Sequence, residues 1–266
     1  TPKVASDTLA LLIERGFVPT VVVTSPDAPR GRGLTLTPSE TKTCALEHNL
    51  EVLTPAILDA DAMNAIAAYG CEYAVVVAYG KIFPEELITL FPLGVVNVHY
   101  SLLPKYRGAT PLEAAFLAGD TETGVTIQKM VRALDAGDII AQSISPLAHN
   151  ETITDVRPRL ITLGATLLAD TLPAFLAGDI VPTPQDESLV SRAKKFSKED
   201  GQLDLSAPGD VNWNKYRAYA DTIGTYFFEN EKRMKITSAS FKNGTFIIER
   251  VIPEGKREMD YSGAGK

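Results

Sequence analysis

Two short stretches hold the residue types that chemistry needs. In Asn97-Val98-His99-Tyr100-Ser101-Leu102-Leu103-Pro104 an apolar run ends at a loop. Residues i and i+2 of a strand project to one side, so Asn97 and His99 share a face. A side-chain amide beside an imidazole suits a carbonyl carbon that becomes tetrahedral. Both groups can donate to the oxygen as it gains charge, and the imidazole changes protonation near neutral pH. Downstream, Leu134-Asp135-Ala136-Gly137-Asp138 sets two carboxylates around a glycine. Gly137 is expected to take a positive φ and bring Asp135 into a cleft. There the Asp135 carboxylate either orients and charge-stabilises His99 or accepts the proton that an ammonium loses after attack. Singly, the histidine is an ordinary strand cap and the glycine segment an ordinary turn; together they acquire a chemical reading.

The elements that must position these residues follow from hydrophobic periodicity. The first half alternates β-branched runs with amphipathic segments, the pattern of an α/β fold with a doubly wound, mainly parallel, Rossmann-like sheet. Buried strands are expected at residues 18–25, 71–78 and 94–99, and helices at 2–15, 38–49, 59–69 and 111–118. Later strands are expected at 125–130 and 138–146. A long helix at 154–178 should carry Leu160, Leu163, Leu167 and Leu168 on one face, with Pro173 bending its end. Asn97 and His99 then lie at the carboxyl end of a parallel strand, where open α/β sheets place ligands. The opening is anomalous, because Thr1-Pro2 leads straight into helix. The usual first strand is missing: either the chain is a fragment or the sheet is built without its middle member. Residues 181–187, with two prolines, read as an extended, semi-rigid linker. Beyond them, strand-like runs at 224–228, 233–238 and 244–251 suggest a small β module. The expected division is a catalytic domain at 1–182, a linker at 183–196 and a shortened, barrel-like β domain at 197–266.

Asn97-x-His99 followed by Ser101-Leu102-Leu103-Pro104-x-x-Arg107-Gly108 is similar to the signature of folate-dependent formyltransferases. Gly119-Asp120-x-x-Thr123-Gly124-Val125-Thr126 and Leu134-Asp135-x-Gly137-Asp138 recur at the family's distances. The resemblance implies acyl transfer with Asn97, His99 and Asp135 as the catalytic trio, and 10-formyltetrahydrofolate as co-substrate. It also implies a folate pocket built from Tyr79, Gly80, Lys81 and Ile82, the loop Ser101, Leu102, Leu103 and Pro104, and Gly137 and Asp138. Residues 26–39 with Lys42 resemble the insertion by which the tRNA-directed branch engages the acceptor stem. Arg30, Arg32 and Lys42 would there meet phosphates or base edges of initiator methionyl-tRNA. Lys194, Lys195 and Lys198 match the segment that joins the two domains of that branch and give the tail a basic face. Three departures stand out: the absent first strand, Tyr219-Ala220-Asp221-Thr222-Ile223 in place of a proline- and tryptophan-containing turn, and too little chain for the usual carboxy-terminal barrel.

The bulk properties agree. A chain of 266 residues with 45% apolar and 22% charged side chains can bury a sizeable core. Its net charge of −7 excludes a uniformly basic nucleic-acid binder. Residues 1–186 carry 12 Lys+Arg against 21 Asp+Glu, or −9, while residues 187–266 carry 14 against 12, or +2, so the tail is the basic part. The longest strongly apolar stretch, 73–79, is far short of the ~20 residues of a membrane span, and a cytoplasmic monomer is expected. Cys44 and Cys71 are expected as reduced thiols. With only His48, His99 and His149 as histidines and no metal-binding spacing, no metal site is expected. The rival readings are a nucleotide amino-sugar N-formyltransferase, which would share the trio, and a non-catalytic folate- or tRNA-binding fragment.

Overall fold

The computed structural model describes residues 2–31, 33–220 and 222–261. In chain order its front half holds α1 (Lys3–Glu14), β1 (Val21–Val23), β2 (Ala28–Arg30), β3 (Thr35–Thr37), α2 (Glu40–Glu47), β4 (Glu51–Leu53), α3 (Ala60–Ala67), β5 (Tyr73–Val77), α4 (Glu85–Thr89) and β6 (Gly94–His99). There follow β7 (Arg107–Gly108), α5 (Pro111–Ala118), β8 (Glu122–Lys129), β9 (Ile139–Pro146), α6 (Ile153–Leu176), β10 (Arg192–Ala193), α7 (Gly209–Tyr219), β11 (Thr225–Glu229), β12 (Lys232–Lys242), β13 (Thr245–Pro253) and β14 (Met259–Asp260). Two compact units interleave along the chain. The first runs up to Arg107 and takes in Gly124–Ile144 and Leu160–Ser191; the second holds Gly108–Thr123, Ser145–Arg159 and the chain from Arg192.

In the first unit the sheet order is β5-β6-β8-β9, with a separate pair β1-β4. Strands β5 and β6 are parallel, from Tyr73 opposite Gly94 to Val77 opposite Val98, whereas β8 runs antiparallel to β6. Val95, Val96 and Val98 are all buried, so β6 is covered on both faces, which is why it reads as a continuous apolar run. The expected strand at 18–25 contracts to Val21–Val23 and that at 71–78 to Tyr73–Val77, while 94–99 and 111–118 hold at both ends. In α6 the buried stripe is Leu160, Ile161, Ala165, Leu168, Ala169 and Leu172, a four-residue repeat that leaves Leu163 and Leu167 only half-buried. Gly164 lies within that stripe; a Cβ there would come within 3.1 Å of Val98 and 3.3 Å of Val125, so the glycine lets the helix settle closely on β6 and β8. By length and composition α6 could cross a membrane, but this buried stripe is the signature of a core helix.

A cavity of 470 Å³ lies between the two sets of strands, with Val21–Val23 along one side and Tyr73–Val77 along the other, and Leu12, Leu168 and Leu172 also lining it. Among the described residues β1 pairs only with β4, and β5 only with β6, so each turns one unpaired edge toward this slot. The lining is mainly apolar.

The second unit has its own aromatic core. Trp213 on α7 stacks near Tyr216 and Phe241 and donates its indole N–H to the His149 carbonyl at 2.8 Å. Leu203, Phe227, Met234, Ile236 and Val251 close a second cluster under the antiparallel sheet β11-β12-β13-β14. Gly209 is required at the start of α7, because a Cβ would stand 2.6 Å from the Gly244 carbonyl oxygen. Tyr219, which opens the segment Tyr219–Ile223 singled out in the sequence, is buried with its ring edge-on to Phe196 at 5.2 Å.

Backbone groups alternate in direction along a parallel strand, so every second amide of β1 and β5 faces the slot. In native-state hydrogen exchange those amides should exchange much faster than their neighbours bonded to β4 and β6. Uniform protection along both strands would show the slot to be closed.

Candidate active site

Asn97 and His99 end β6 on one face, and β8 sets Gln128 opposite Asn97 and Thr126 opposite His99. His99 is 5% exposed. Its Nε2 lies 3.0 Å from the Tyr106 carbonyl oxygen. A carbonyl can only accept, so Nε2 carries the proton and Nδ1 of the neutral ring is left with its lone pair. That nitrogen faces Asp135 Oδ1 at 3.7 Å. The same carboxylate oxygen accepts a hydrogen bond from Gln128 Nε2 at 3.0 Å, and Gln128 is 1% exposed.

This geometry narrows the role of His99. Its Nε2–H is occupied by Tyr106, so the ring can donate to a developing oxyanion only from Nδ1, and only once Nδ1 has taken a proton. Burial holds the His99 pKa below its ordinary value, while the Asp135 charge and the Tyr106 carbonyl pull it back up. The resting pair is a lone pair facing a carboxylate, an arrangement ready to receive a proton from an attacking ammonium. The Asn97 side-chain amide has no hydrogen-bond partner among the described residues, and it is half-buried.

The turn carrying Asp135 differs from expectation. The residue with positive φ is Asp135 itself, at 50°, and not Gly137. Gly137 is needed for another reason: a Cβ there would stand 1.6 Å from the Lys129 carbonyl oxygen, so only glycine lets this turn lie against the end of β8.

The remaining expected residues divide. Tyr79, Gly80, Lys81 and Ile82 leave the carboxyl end of β5, whose Val77 pairs with Val98, so this loop departs beside His99. Lys81 is turned inward, donating to the Pro55 and Ala56 carbonyls at 2.7 Å each, while Ile82 is exposed. Ser101 and Leu103 are buried and engaged by their own chain: Ser101 Oγ donates to the Lys105 carbonyl, and the Leu103 N–H donates to Thr126 Oγ1. They shape the loop that also holds Leu102 and Pro104, the latter after a cis peptide bond. Asp138 accepts the Lys129 N–H through its carbonyl, fixing the far side of the turn. Of the basic residues, Arg30 is exposed on a β2-β3 hairpin and 3.8 Å from Glu40, whereas Lys42 is tied to Asp27 at 2.7 Å. Lys194, Lys195 and Lys198 are exposed. Arg32 lies outside the described residues. Residues that the sequence reading passed over are Gln128, Tyr106 and Gln185; neutral amides and a main-chain carbonyl give no compositional signal.

A family model described as formyl transferase matches residues 11–172. The chain is 44% identical to the methionyl-tRNA formyltransferase of Bdellovibrio bacteriovorus over 90% of this chain and 76% of that protein. It is 41% identical to that of Pelobacter propionicus, over 92% and 77%. Among solved structures it is similar to an N-formyltransferase from Helicobacter canadensis in complex with folinic acid and dTDP-3-aminofucose, with TM-score 0.68, 19% identity, and 91% and 86% of the two chains covered. It is also similar to the methionyl-tRNA formyltransferase of Clostridium thermocellum, with TM-score 0.57, 19% identity, and 80% and 92% covered.

The state of His99 has a measurable effect on stability. Its folded-state pKa lies below the ordinary 6.5, so the unfolded chain binds the extra proton as pH falls through that value. Stability is then full above this pH and declines as acidity moves toward the folded-state pKa. His99→Asn should remove this contribution, and the drop in melting temperature from about pH 7 to about pH 5 should be smaller than in the parent. An equal or larger drop would mean that the ring is not held neutral.

Proposed function

The chain belongs to the formyl transferase family, and from that premise we propose that it moves the formyl group of 10-formyltetrahydrofolate onto the amino group of methionine carried by initiator tRNA. The observation that carries this reading is the convergence of Asn97, His99 and Asp135 at the end of one strand, in a chain 37–44% identical to methionyl-tRNA formyltransferases over most of its length.

The proposed chemistry follows the site. The substrate amine attacks the formyl carbon and a new C–N bond forms. The formyl oxygen gains negative charge and accepts from the unengaged Asn97 amide. The ammonium so created gives up a proton to the Asp135–His99 pair, and Nδ1–H of His99 can then donate to the oxyanion. The bond from carbon to the folate nitrogen breaks as that nitrogen takes a proton, and tetrahydrofolate departs. We assign the folate to Tyr79–Ile82, which leaves β5 beside His99, and to the Asp135–Asp138 turn.

The acceptor is argued from the relatives and from the basic hairpin. Arg30 on that hairpin and Arg32, two positions on in the sequence, with Lys194, Lys195 and Lys198, are the residues offered to tRNA phosphates. Lys42 is assigned to shaping the hairpin through Asp27. We place the enzyme in the cytoplasm as a monomer, as a participant in translation initiation. An amino-sugar acceptor is the second reading, kept in view by the structural likeness to the Helicobacter canadensis enzyme, which at 19% identity speaks for fold alone.

Incubation with 10-formyltetrahydrofolate and either methionyl-tRNA or a nucleotide amino sugar should formylate the tRNA; formylation of the sugar alone would reverse the choice. His99→Ala and Asp135→Asn should each lower kcat roughly 10²- to 10⁴-fold with much smaller changes in folate affinity. Parallel losses in both quantities would assign these side chains to binding or folding. Arg32→Ala is expected to raise KM for tRNA, with an effect that weakens as salt rises; unaltered tRNA kinetics would remove the hairpin from the interface.

A further inference from the structure

Gln185 lies in a segment that reads as a spacer in the sequence, yet it is 9% exposed, and both its amide nitrogen and its amide oxygen are engaged. Its Nε2 donates to the Asp135 carbonyl at 2.8 Å and to the Gly137 carbonyl at 2.7 Å. Its Oε1 accepts from Arg107 Nε at 3.0 Å. The amide orientation is fixed by chemistry: a guanidinium only donates and carbonyls only accept, so oxygen must face Arg107 and nitrogen must face the turn. Arg107 is 4% exposed and is held in turn by Glu187, whose Oε1 lies 2.7 Å from Nη2. The backbone beside Gln185 is pinned as well, since Thr183 and Ile139 exchange N–H and carbonyl bonds at 2.8 Å each.

We propose that Gln185 is a positioning residue for the reaction: it clamps the backbone of the Asp135–Gly137 turn so that the Asp135 carboxylate is presented to His99 Nδ1. The turn needs such a clamp. Asp135 sits at φ 50°, a conformation that side chains other than glycine adopt at a cost and that persists only when the surroundings enforce it. Gln128 steadies the carboxylate from the strand side, but it touches only the side chain; Gln185 holds the carbonyl of the strained residue itself and that of Gly137 two positions on. The clamp is anchored through Arg107, which belongs to the same loop system as Tyr106, the residue whose carbonyl fixes the His99 ring. One polar chain, Glu187–Arg107–Gln185, thus stands behind both halves of the His99–Asp135 pair. This inference rests on the proposed reading of that pair.

Gln185→Glu tests it. The variant keeps the side chain's shape and the acceptor for Arg107, but replaces the double donor with an oxygen that faces two carbonyls. Expected are a loss in kcat for formyl transfer of about ten-fold or more, KM for the amine acceptor within about two-fold of the parent, unchanged circular dichroism, and a lower titration midpoint for His99 by NMR. The midpoint should fall because a displaced Asp135 no longer favours the charged ring, an effect larger than that of the new carboxylate, which is paired with Arg107. Parent kcat with an unmoved His99 titration in the folded variant would overturn the proposal. Should that variant fail to fold, Glu187→Ala loosens Arg107 alone; it should lower kcat about two- to five-fold and shift His99 in the same direction, and parent values for both would overturn the proposal. The NMR arm needs no acceptor substrate, so a wrong acceptor assignment would not be mistaken for failure of the clamp.

Discussion

An imidazole can be buried cheaply only while it is neutral, and a carboxylate only while something donates to it. The His99–Asp135 pair satisfies both conditions at once, and much of the first unit is arranged to keep them satisfied. The Tyr106 carbonyl fixes the proton on Nε2, so the opposite nitrogen has no proton of its own to offer. Gln128 supplies the donation that Asp135 requires without neutralising it. A 3.7 Å separation then leaves a site that costs little to maintain at rest and becomes strongly favourable once a proton enters.

The backbone serves the same end. β6 must be covered on both faces to carry a buried histidine, and it is: α6 approaches closely through Gly164, and β8 brings Gln128 and Thr126 into register with Asn97 and His99. Gly137 lets the Asp135 turn rest on the end of β8, and without that close approach the carboxylate would have no route to the ring.

Much of this was legible in the residues. Strand β6 announces itself because a doubly covered strand has no polar face to interrupt it, and α5 because Pro111 opens it and Gly119, at φ 72°, closes it. That Asn97 and His99 share a face and that Asp135 meets His99 was legible from i and i+2 geometry and from the glycine-bearing turn. What stayed hidden did so for physical reasons. Helix α7 buries aromatic and polar residues, Trp213, Tyr219, Asn212 and Arg217, so its stripe does not register as apolar. Gln128 and Gln185 are neutral amides whose value depends on three-dimensional neighbours. The positive φ was assigned to Gly137 because glycine is its usual bearer; a carboxylate held by flanking carbonyl contacts took it instead. Lys42 looked available by composition, but Asp27 fifteen positions earlier had already claimed it.

The seat of α6 carries a consequence of another kind. At Gly164 a single added carbon would come within 3.1 Å of Val98 and 3.3 Å of Val125, pressing on the strand that ends in His99. A helix outside the His99–Asp135 pair thus works as its gauge: drift in sequence is tolerated along the solvent face of α6 and penalised at this one position.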